Sequence, residues 1–306
     1  MVNGKLHVDL AGLKLGNPTI LASGILGISA EYMVNIVHGG AGAIVTKSVG
    51  KEPRRGYENP TVVQTDLGLI NALGLPNPGI DEFVFEIVEA KRRLSVPVIV
   101  SVYGFSAKEY VEVAKKASEA GADAVELNVS CPHVRGTGLE IGQDRSSMRE
   151  VVRRVKAGVG IPVFVKLSPN VTDIAQRACV AAEAGADGVT AINTVKAMAI
   201  DTETGMPILG SKTGGLSGPA LKPIALRCVY EIYGRVGIPI IGCGGVTDWR
   251  DAVEFFMAGA SAIQIGTAIS TEGTDVFKGI TCGIESYLER KGIGCVKDVV
   301  GLSHRF

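Results

Sequence analysis

The chain has 306 residues, with 31 basic and 31 acidic side chains that cancel when histidine is neutral. This balance excludes an electrostatic case for nucleic acid or an anionic membrane surface as the main partner. Hydrophobic residues make up 46% of the chain and aromatic ones 5%, a composition typical of a parallel sheet buried on both faces. No apolar run approaches the roughly 18 residues of a membrane span, and the N-terminus lacks a basic segment followed by an apolar one. We therefore expect a cytoplasmic protein.

The cysteines and histidines do not form a recognisable metal or disulfide pattern. The six cysteines include no Cys-x-x-Cys pair, and the four histidines are scattered. A reduced protein without a metal site is expected. The cysteines are Cys131, Cys179, Cys228, Cys243, Cys282 and Cys295.

Two short sequence motifs alternate along the chain, and the fold prediction depends on them. One is a proline followed by an apolar strand, because proline suits the first residue of a strand, where no ladder donor is needed. The other is Ala-Gly-Ala followed by a strand, because glycine accepts the left-handed conformation that ends a helix. Together they predict eight strands. The first motif begins at Pro18, Pro97, Pro162 and Pro239, and the second at Ala41, Ala120, Ala184 and Ala258.

Amphipathic helical segments lie between these strands, at residues 107–119, 148–156, 173–183 and 248–257. Strand–helix alternation predicts a parallel sheet with right-handed crossovers. Eight such units predict one α/β domain over residues 1–306, a (β/α)8 TIM barrel. An open doubly wound sheet is the alternative, although such a sheet rarely needs eight near-equal repeats.

The regular alternation is interrupted in three places. Residues 6–15 predict a short N-terminal hairpin that caps the bottom of the barrel. Residues 47–81 and 193–219 are Gly-, Pro- and Asn-rich excursions that follow strands, so they should rise over the C-terminal face, where substrate loops belong. Residues 279–291 predict a last helix, followed by an exposed tail.

The residues just past each strand should converge at the mouth of such a barrel, where barrel enzymes hold their catalytic groups. Two lysines, two asparagines and a thiol are among them. Glycine turns after the seventh and eighth strands match the usual phosphate site of these barrels, although such turns by themselves mostly reverse the chain. In chain order the residues are Ser23, Gly24, Thr46, Lys47, Ser48, Ser101, Asn128, Ser130, Cys131, Lys166, Asn193, Thr194, Gly242, Cys243, Gly244, Gly245, Gly266 and Thr267.

Lys47, Lys166 and Cys131 each have a purely structural alternative. A lysine is usually a surface residue, and a cysteine is usually a buried filler. Both lysines, however, follow apolar strands, where a charged group must meet water or an anion. Cys131 follows Asn128 and Ser130 at a strand end. We therefore favour functional roles for these three residues and structural roles for the other cysteines.

With these residues in hand, the chain resembles the class 1 dihydroorotate dehydrogenases over essentially its whole length. A cysteine at position 131 is typical of that soluble class, whereas the membrane-associated class carries a serine there. The resemblance depends on five motifs, which are Thr46-Lys47-Ser48-Val49, Asn71-Ala72-Leu73-Gly74-Leu75-Pro76-Asn77-Pro78-Gly79, Asn128-Val129-Ser130-Cys131-Pro132, Lys166-Leu167-Ser168-Pro169 and Gly214-Gly215-Leu216-Ser217-Gly218.

The resemblance implies FMN at the barrel mouth and dihydroorotate stacked on its ring. Oxidation of that substrate in pyrimidine biosynthesis removes a proton from C5 and a hydride from C6. Cys131 would be the general base, FMN would accept the hydride, and Lys166 would stabilise the resulting negative charge. The cofactor contacts would be Ser23, Lys47, Ser48, Asn128, Lys166, Ile192, Gly218, Gly244, Gly245, Gly266 and Thr267. The substrate contacts would be Lys47, Asn71, Ala72, Leu73, Gly74, Leu75, Asn128, Asn193 and Thr194, and no metal is implied.

Two positions depart from the family pattern and bear on substrate contact and subclass. His133 stands where a second asparagine usually contacts the substrate, and Ser101 stands where an asparagine near the flavin is common. One subclass is a fumarate-linked homodimer. The other pairs its catalytic subunit with a partner that carries FAD and a [2Fe–2S] cluster and reduces NAD. Overall similarity favours this NAD-linked class 1B type, as a homodimer or as a heterotetramer with that partner.

Three other interpretations stay open at this point. Another FMN-dependent dihydropyrimidine-type oxidoreductase would share the same site. A phosphate-binding lyase would use Lys166 as a Schiff-base lysine and would carry no flavin. A non-enzymatic, flavin-holding assembly subunit would keep its biological role after Cys131→Ala.

Overall fold

The computed structural model describes residues 4–129, 141–142 and 144–306. Strands occur where the two alternating sequence motifs predict them, and additional strands lie in the hairpin and the excursions. In chain order they are β1 (Val8–Leu10), β2 (Leu13–Leu15), β3 (Thr19–Leu21), β4 (Ala43–Val45), β5 (Val62–Thr65), β6 (Gly68–Asn71), β7 (Val98–Val102), β8 (Ala124–Asn128), β9 (Val163–Leu167), β10 (Gly188–Ala191), β11 (Val195–Ala197), β12 (Gly214–Ser217), β13 (Ile240–Cys243) and β14 (Ala262–Ile265).

Eight of these strands close into a parallel barrel in the order β10-β13-β14-β3-β4-β7-β8-β9. Closure confirms the predicted (β/α)8 barrel and excludes the open doubly wound sheet. Each barrel strand is parallel to both of its neighbours, as a strand–helix repeat requires.

The helices lie between the barrel strands, and the segments predicted from the sequence are confirmed. Several begin at a side chain that accepts a hydrogen bond from the backbone N–H three residues later, as Ser106, Asp144, Asp173 and Asp248 do. The helices are α1 (Ala30–His38), α2 (Ile80–Arg93), α3 (Ala107–Glu119), α4 (Arg145–Gly158), α5 (Ile174–Glu183), α6 (Lys222–Tyr233), α7 (Trp249–Ala258), α8 (Ile269–Glu272) and α9 (Val276–Lys291).

The barrel interior is apolar at its bottom. Successive residues of a strand point to opposite faces, so one set packs against the helices and the other fills the barrel. The inward residues near the amino ends of the strands form a separate hydrophobic cluster, which Leu10, Leu13 and Leu15 of the predicted hairpin join. The hairpin therefore caps the barrel as expected. The inward residues are Ile20, Ala43, Val45, Ile99, Ala124, Phe164, Ile241 and Ala262.

Aspartates that follow the Ala-Gly-Ala motif fix two of the strands at the bottom of the barrel. Asp187 accepts hydrogen bonds from Lys156 Nζ at 2.6 Å and from the backbone N–H of Val163 at 2.7 Å. Asp123 forms the equivalent pair with Lys91. Each aspartate thus ties the helix before the neighbouring strand to that strand, α4 to β9 for Asp187 and α2 to β7 for Asp123.

The two excursions pair with each other above the barrel. Their strands form a four-stranded antiparallel sheet in the order β11-β12-β6-β5, in which Leu216 lies opposite Ile70. We call this the excursion sheet. Ile70, Ala72 and Leu209 form its small core. The excursions are therefore ordered by each other, and they enclose the mouth of the barrel.

The C-terminal tail differs from its expected exposed form. The last helix begins at Val276, and the residues after it include two short 3-10 helices, Val296–Asp298 and Leu302–Arg305. Val296 and Val299 are buried, and Gly301 donates its backbone N–H to the carbonyl of Phe256 at 2.9 Å. The expectation of an exposed tail was wrong, because these apolar side chains complete the packing around α7.

Candidate active site

A cavity of about 250 Å³ lies between the carboxyl ends of the barrel strands and the excursion sheet. We call it the mouth cavity. One wall consists of residues just past the barrel strands, and the other includes Val62, Leu69 and Ser217 of the excursion sheet. Thr267 donates a hydrogen bond to Ser217 Oγ at 2.8 Å and so joins the two walls. Ligand sites of barrel proteins lie at this end.

Almost all the site residues named from the sequence line this one cavity. Ala72 is an exception, because it is fully buried in the core of the excursion sheet with Ile70 and Leu209. Cys131 and His133 lie outside the described residues, so the general-base prediction stays a prediction. The predicted residues that line the cavity are Ser23, Lys47, Ser48, Asn71, Leu73, Gly74, Leu75, Asn128, Lys166, Ile192, Asn193, Thr194, Gly218, Gly244, Gly245, Gly266 and Thr267.

Ser48 is the centre of a hydroxyl and amide network on one side of the cavity. Its Oγ accepts a hydrogen bond from Asn128 Nδ2 at 2.9 Å and lies 2.8 Å from the Oγ of Ser101. Ser23 Oγ lies 3.3 Å away. Ser101, one of the two departures from the family pattern, is fully buried and supports Ser48 from below. The network fixes the Asn128 amide, which offers a ligand both a donor and an acceptor.

Lys166 forms part of the cavity floor rather than its rim. It lies within β9, on the inward face, and it is almost completely buried. Its Nζ donates a hydrogen bond to Gln264 Oε1 at 2.9 Å and lies 3.9 Å from Glu126 Oε1. Burial disfavours the charged form, but the facing Cys243 and Glu126 groups outweigh this effect and raise the pKa of Lys166. The charged form of Lys166 is therefore favoured at the cavity floor.

Lys47 is the second cation of the cavity and has a different environment. It follows β4, and it is half-buried among cavity-lining residues. Among the described residues, no carboxylate lies within ion-pair distance of its ammonium group. Burial lowers the pKa of Lys47. A half-buried ammonium without a counter-ion gains most from an anionic ligand group, such as a carboxylate.

The turn after β13 forms the far end of the cavity with backbone rather than side chains. Gly244 and Gly245 have φ angles of 129° and 76°, which L-residues with side chains rarely adopt. A Cβ on Gly245 would lie 2.6 Å from the backbone N of Lys222, so no side chain fits there. Asp251 holds the turn by accepting hydrogen bonds from the N–H and hydroxyl of Thr247, at 2.8 and 2.6 Å. Exposed backbone at such a turn suits a phosphate group.

The cavity also contains residues that sequence reasoning missed. Gln264 lines it, and Glu126 lies one layer below Asn128 on β8. Gly24 and Cys243, which the sequence places at the mouth without a contact role, line the cavity as well. A signal was present, because a glutamate and a glutamine interrupt strands that are otherwise apolar and buried on both faces. The remaining missed lining residues are Ala22, Ile25, Val62, Leu69, Pro76, Ser217, Leu221, Val246, Thr247 and Ala268.

Metal binding has no structural support in the described ranges, where no cluster of three or more His, Cys, Asp or Glu side chains could hold an ion. Within the same ranges, no helix is long and apolar enough to cross a membrane. Burial raises the pKa of Cys228 to about 11, which fits its predicted structural role. A closed parallel barrel with a cationic, glycine-edged cavity at its C-terminal mouth is the architecture of a barrel protein whose candidate ligand site suits an anionic group.

Comparisons with known proteins identify the family. The family model described as dihydroorotate dehydrogenase matches residues 5–288. The chain is 52% identical over 303 residues to the dihydroorotate dehydrogenase B (NAD(+)) catalytic subunit of Pyrococcus horikoshii, with 99% of each chain covered. It is 50% identical over 301 residues to the protein of that name from Methanocella arvoryzae, with 98% of each covered.

A solved structure has the same fold. The dihydroorotate dehydrogenase of Eimeria tenella, in complex with ferulenol, superposes with a TM-score of 0.87 at 26% sequence identity, covering 99% of this chain and 89% of that one. The chain belongs to the dihydroorotate dehydrogenase family.

Proposed function

We propose that the chain oxidises dihydroorotate to orotate with FMN, as the catalytic subunit of an NAD-linked dihydroorotate dehydrogenase. The observation that carries the proposal is the mouth cavity, where all but one of the described residues expected to contact FMN or substrate meet. Family membership supports the substrate, and relatives about half identical over their full length are named as NAD-linked catalytic subunits.

The described residues fit FMN. The turn after β13 offers backbone for the phosphate end, and the neutral network of Ser48 and Asn128 offers hydrogen bonds to a polar ring edge. Lys166 provides a fixed positive charge at the floor. Bound FMN supplies a two-electron acceptor for the hydride that leaves C6 of the substrate.

The chain's own residues would bind the substrate, orient it and remove its proton. Lys47 would take the substrate carboxylate, because it is the half-buried cation without a carboxylate partner among the described residues. Asn71, Asn128, Asn193 and Thr194 would contact the polar edges of the substrate ring. Cys131 would take the C5 proton as the C5–C6 double bond forms, the role that the family resemblance implies.

The lyase alternative is disfavoured by the state of Lys166. A Schiff-base lysine must be neutral to attack a carbonyl, so such lysines have a lowered pKa. Lys166 has a raised pKa and an ion-pair partner. A different dihydropyrimidine substrate would use the same cavity, and only substrate tests separate it.

The experiment is an absorption spectrum of the purified chain before and after anaerobic addition of dihydroorotate. Flavin bands that bleach with dihydroorotate, and not with dihydrouracil, support the cofactor and the substrate together. Bands that stay oxidised contradict the substrate, and a chain that takes up no added FMN contradicts the cofactor. For the acceptor, we expect NAD reduction only after an FAD- and [2Fe–2S]-containing partner subunit is added.

A further inference from the structure

Glu126 lies one layer below the mouth cavity, on the same inward face of β8 as Asn128. Its side chain is fully buried, and its Oε1 has no hydrogen-bond partner among the described residues. A buried carboxylate destabilises a fold unless a cation compensates it, and Lys166 Nζ lies 3.9 Å away. We infer that Glu126 is a positioning residue that fixes the Lys166 ammonium group at the floor of the mouth cavity. The inference rests on the proposed function in so far as the ligand above Lys166 is a flavin.

Glu126 also determines how Gln264 faces Lys166. An ionised carboxylate only accepts hydrogen bonds, so the amide nitrogen of Gln264 turns to Glu126 Oε2, at 2.6 Å. The amide oxygen is then left for Lys166 Nζ, at 2.9 Å. The hydroxyl of Thr190 donates to the same carboxylate oxygen at 2.8 Å. Lys166 is therefore held twice, by the ion pair and by an amide that the carboxylate orients.

Glu126 and Cys243 both face Lys166, and the anionic form of either group raises the pKa of the lysine. We assign the counter-charge to Glu126. Strands β8, β10, β13 and β14 surround Lys166, and within the described ranges the titratable groups that face it are Glu126 and Cys243. Thr190 and Gln264 are neutral. Burial raises the pKa of the Cys243 thiol, so this group is uncharged at neutral pH. The carboxylate alone then balances the ammonium group.

The pairing has a consequence for the chemistry above it. A compensated lysine stays charged while the ligand is neutral, and it is already in place when negative charge develops on the ligand. Without Glu126, the buried ammonium group would lose its partner and would favour the neutral amine. The positive charge of the floor would then depend on pH within the working range of the enzyme.

The first test is direct and needs no flavin. The Nζ signal of Lys166 is followed by NMR in flavin-free, ¹⁵N-lysine-labelled protein and is assigned by its loss in K166R. In the wild type we expect the ammonium form to persist from about pH 6 to about pH 9, because the opposite charge stabilises it. In E126Q we expect it to lose its proton within that range. The same titration in both proteins would overturn the inference.

The second readout is the midpoint potential of bound FMN as a function of pH. We expect E126Q to show an additional break, with a lower potential above it, since a neutral Lys166 no longer stabilises the reduced flavin. A potential that follows the wild-type pH dependence contradicts the positioning role even if turnover falls, because a merely structural defect would not move this profile selectively.

Three further variants make the comparison specific. E126D keeps the carboxylate and should retain the wild-type titration. C243A should also retain it, whereas loss of the ammonium form in C243A and not in E126Q would assign the counter-charge to the thiol and overturn the inference. D187N removes a different carboxylate–lysine pair, at the bottom of the barrel, and should leave Lys166 unchanged. An equal change in D187N would indicate a general loss of structure and contradict the inference.

The outcomes also separate this inference from the proposed function. If the wild type binds no flavin but its Lys166 titration depends on Glu126, the inference stands and the proposed cofactor is wrong. If dihydroorotate bleaches bound flavin and E126Q leaves the Lys166 titration and the potential profile unchanged, the function stands and the positioning role is wrong.

Discussion

Lys222 Nζ donates a hydrogen bond to Asp251 Oδ1 at 2.7 Å, and this contact joins the first residue of α6 to the first turn of α7. The glycine turn of the mouth cavity lies between these two helix starts. The same carboxylate accepts hydrogen bonds from Thr247, in the cavity wall. The pair therefore holds the turn that would take a phosphate group.

Asp251→Asn is expected to destabilise the protein and loosen the turn. Burial raises the pKa of Asp251, but the hydrogen bonds from Lys222 and Thr247 outweigh it and hold this pKa below its usual value. A carboxyl with a depressed folded-state pKa stabilises the fold above its unfolded-state pKa, and this contribution is lost as pH falls through the folded-state pKa. We expect Asp251→Asn to lower the free energy of unfolding by about 1 to 3 kcal/mol at pH 7, and this difference should shrink below about pH 4. Urea unfolding measures it.

Glu254→Gln is the control for this prediction. Glu254 pairs with the same lysine at 3.1 Å, but its side chain is 45% exposed. Such exposed pairs contribute about 0 to 1 kcal/mol. An effect of Glu254→Gln as large as that of Asp251→Asn would show that the position of the carboxylate under the turn is unimportant.

Gly245→Ala is expected to disrupt the cavity more than backbone strain alone explains. A methyl group there meets the backbone N of Lys222, which cannot move without shifting α6. Gly273 is the matched control, because it has a φ angle of 68° but no atom within 4 Å of an added Cβ. Gly273→Ala should lower the free energy of unfolding by about 1 to 3 kcal/mol through backbone strain, because φ 68° with ψ −168° is a conformation that essentially only glycine adopts. Gly245→Ala should lower the free energy of unfolding by more than this. It should also weaken FMN binding, as measured by flavin fluorescence. Equal effects in both variants would contradict the proposed phosphate end of the cavity.

The barrel could be predicted from the sequence because its signals are local and repeat along the chain. Proline at a strand start and glycine at a helix end act within a few residues, so eight copies gave eight strands in the right places. The excursion sheet could not be predicted in this way. Leu216 and Ile70 pair across nearly half of the chain, and neither segment has an apolar alternation strong enough to define a strand alone.

The rim of the candidate site was easier to predict than its floor. Residues such as Lys47 and Asn193 follow strands, so the barrel rule places them at the mouth. Glu126 and Gln264 lie inside strands, and their proximity depends on barrel closure, which brings β8 and β14 within hydrogen-bond distance across the interior. Ala72 illustrates the reverse case, because its motif position suggested contact with substrate while its small side chain packs in the excursion sheet.

Lys47→Gln is expected to weaken dihydroorotate binding more than it affects FMN. Loss of a charge-assisted hydrogen bond to the substrate carboxylate should raise KM by roughly 10- to 100-fold. Burial lowers the pKa of Lys47, so in the wild type the affinity for substrate should fall with rising pH earlier than an ordinary lysine would allow. This alkaline rise in KM should be absent from Lys47→Gln.

Steady-state kinetics across pH checks the role of Lys47. Lys108→Gln, which removes an exposed lysine of α3, is the control and should leave KM and its pH dependence unchanged. If the alkaline rise in KM persists in Lys47→Gln, another group binds the carboxylate.

Cys131→Ala is expected to block proton abstraction while leaving the cofactor in place. A positioned general base contributes about 10²- to 10⁴-fold to rate, so anaerobic reduction of bound flavin by dihydroorotate should slow by that factor, with the oxidised flavin spectrum unchanged. Stopped-flow absorbance measures both. Cys282→Ala, which removes an exposed thiol of α9, is the control and should reduce flavin at the wild-type rate. A wild-type rate in Cys131→Ala would assign the base to another residue, whereas loss of flavin would mean that the cysteine supports the cofactor instead of the proton transfer.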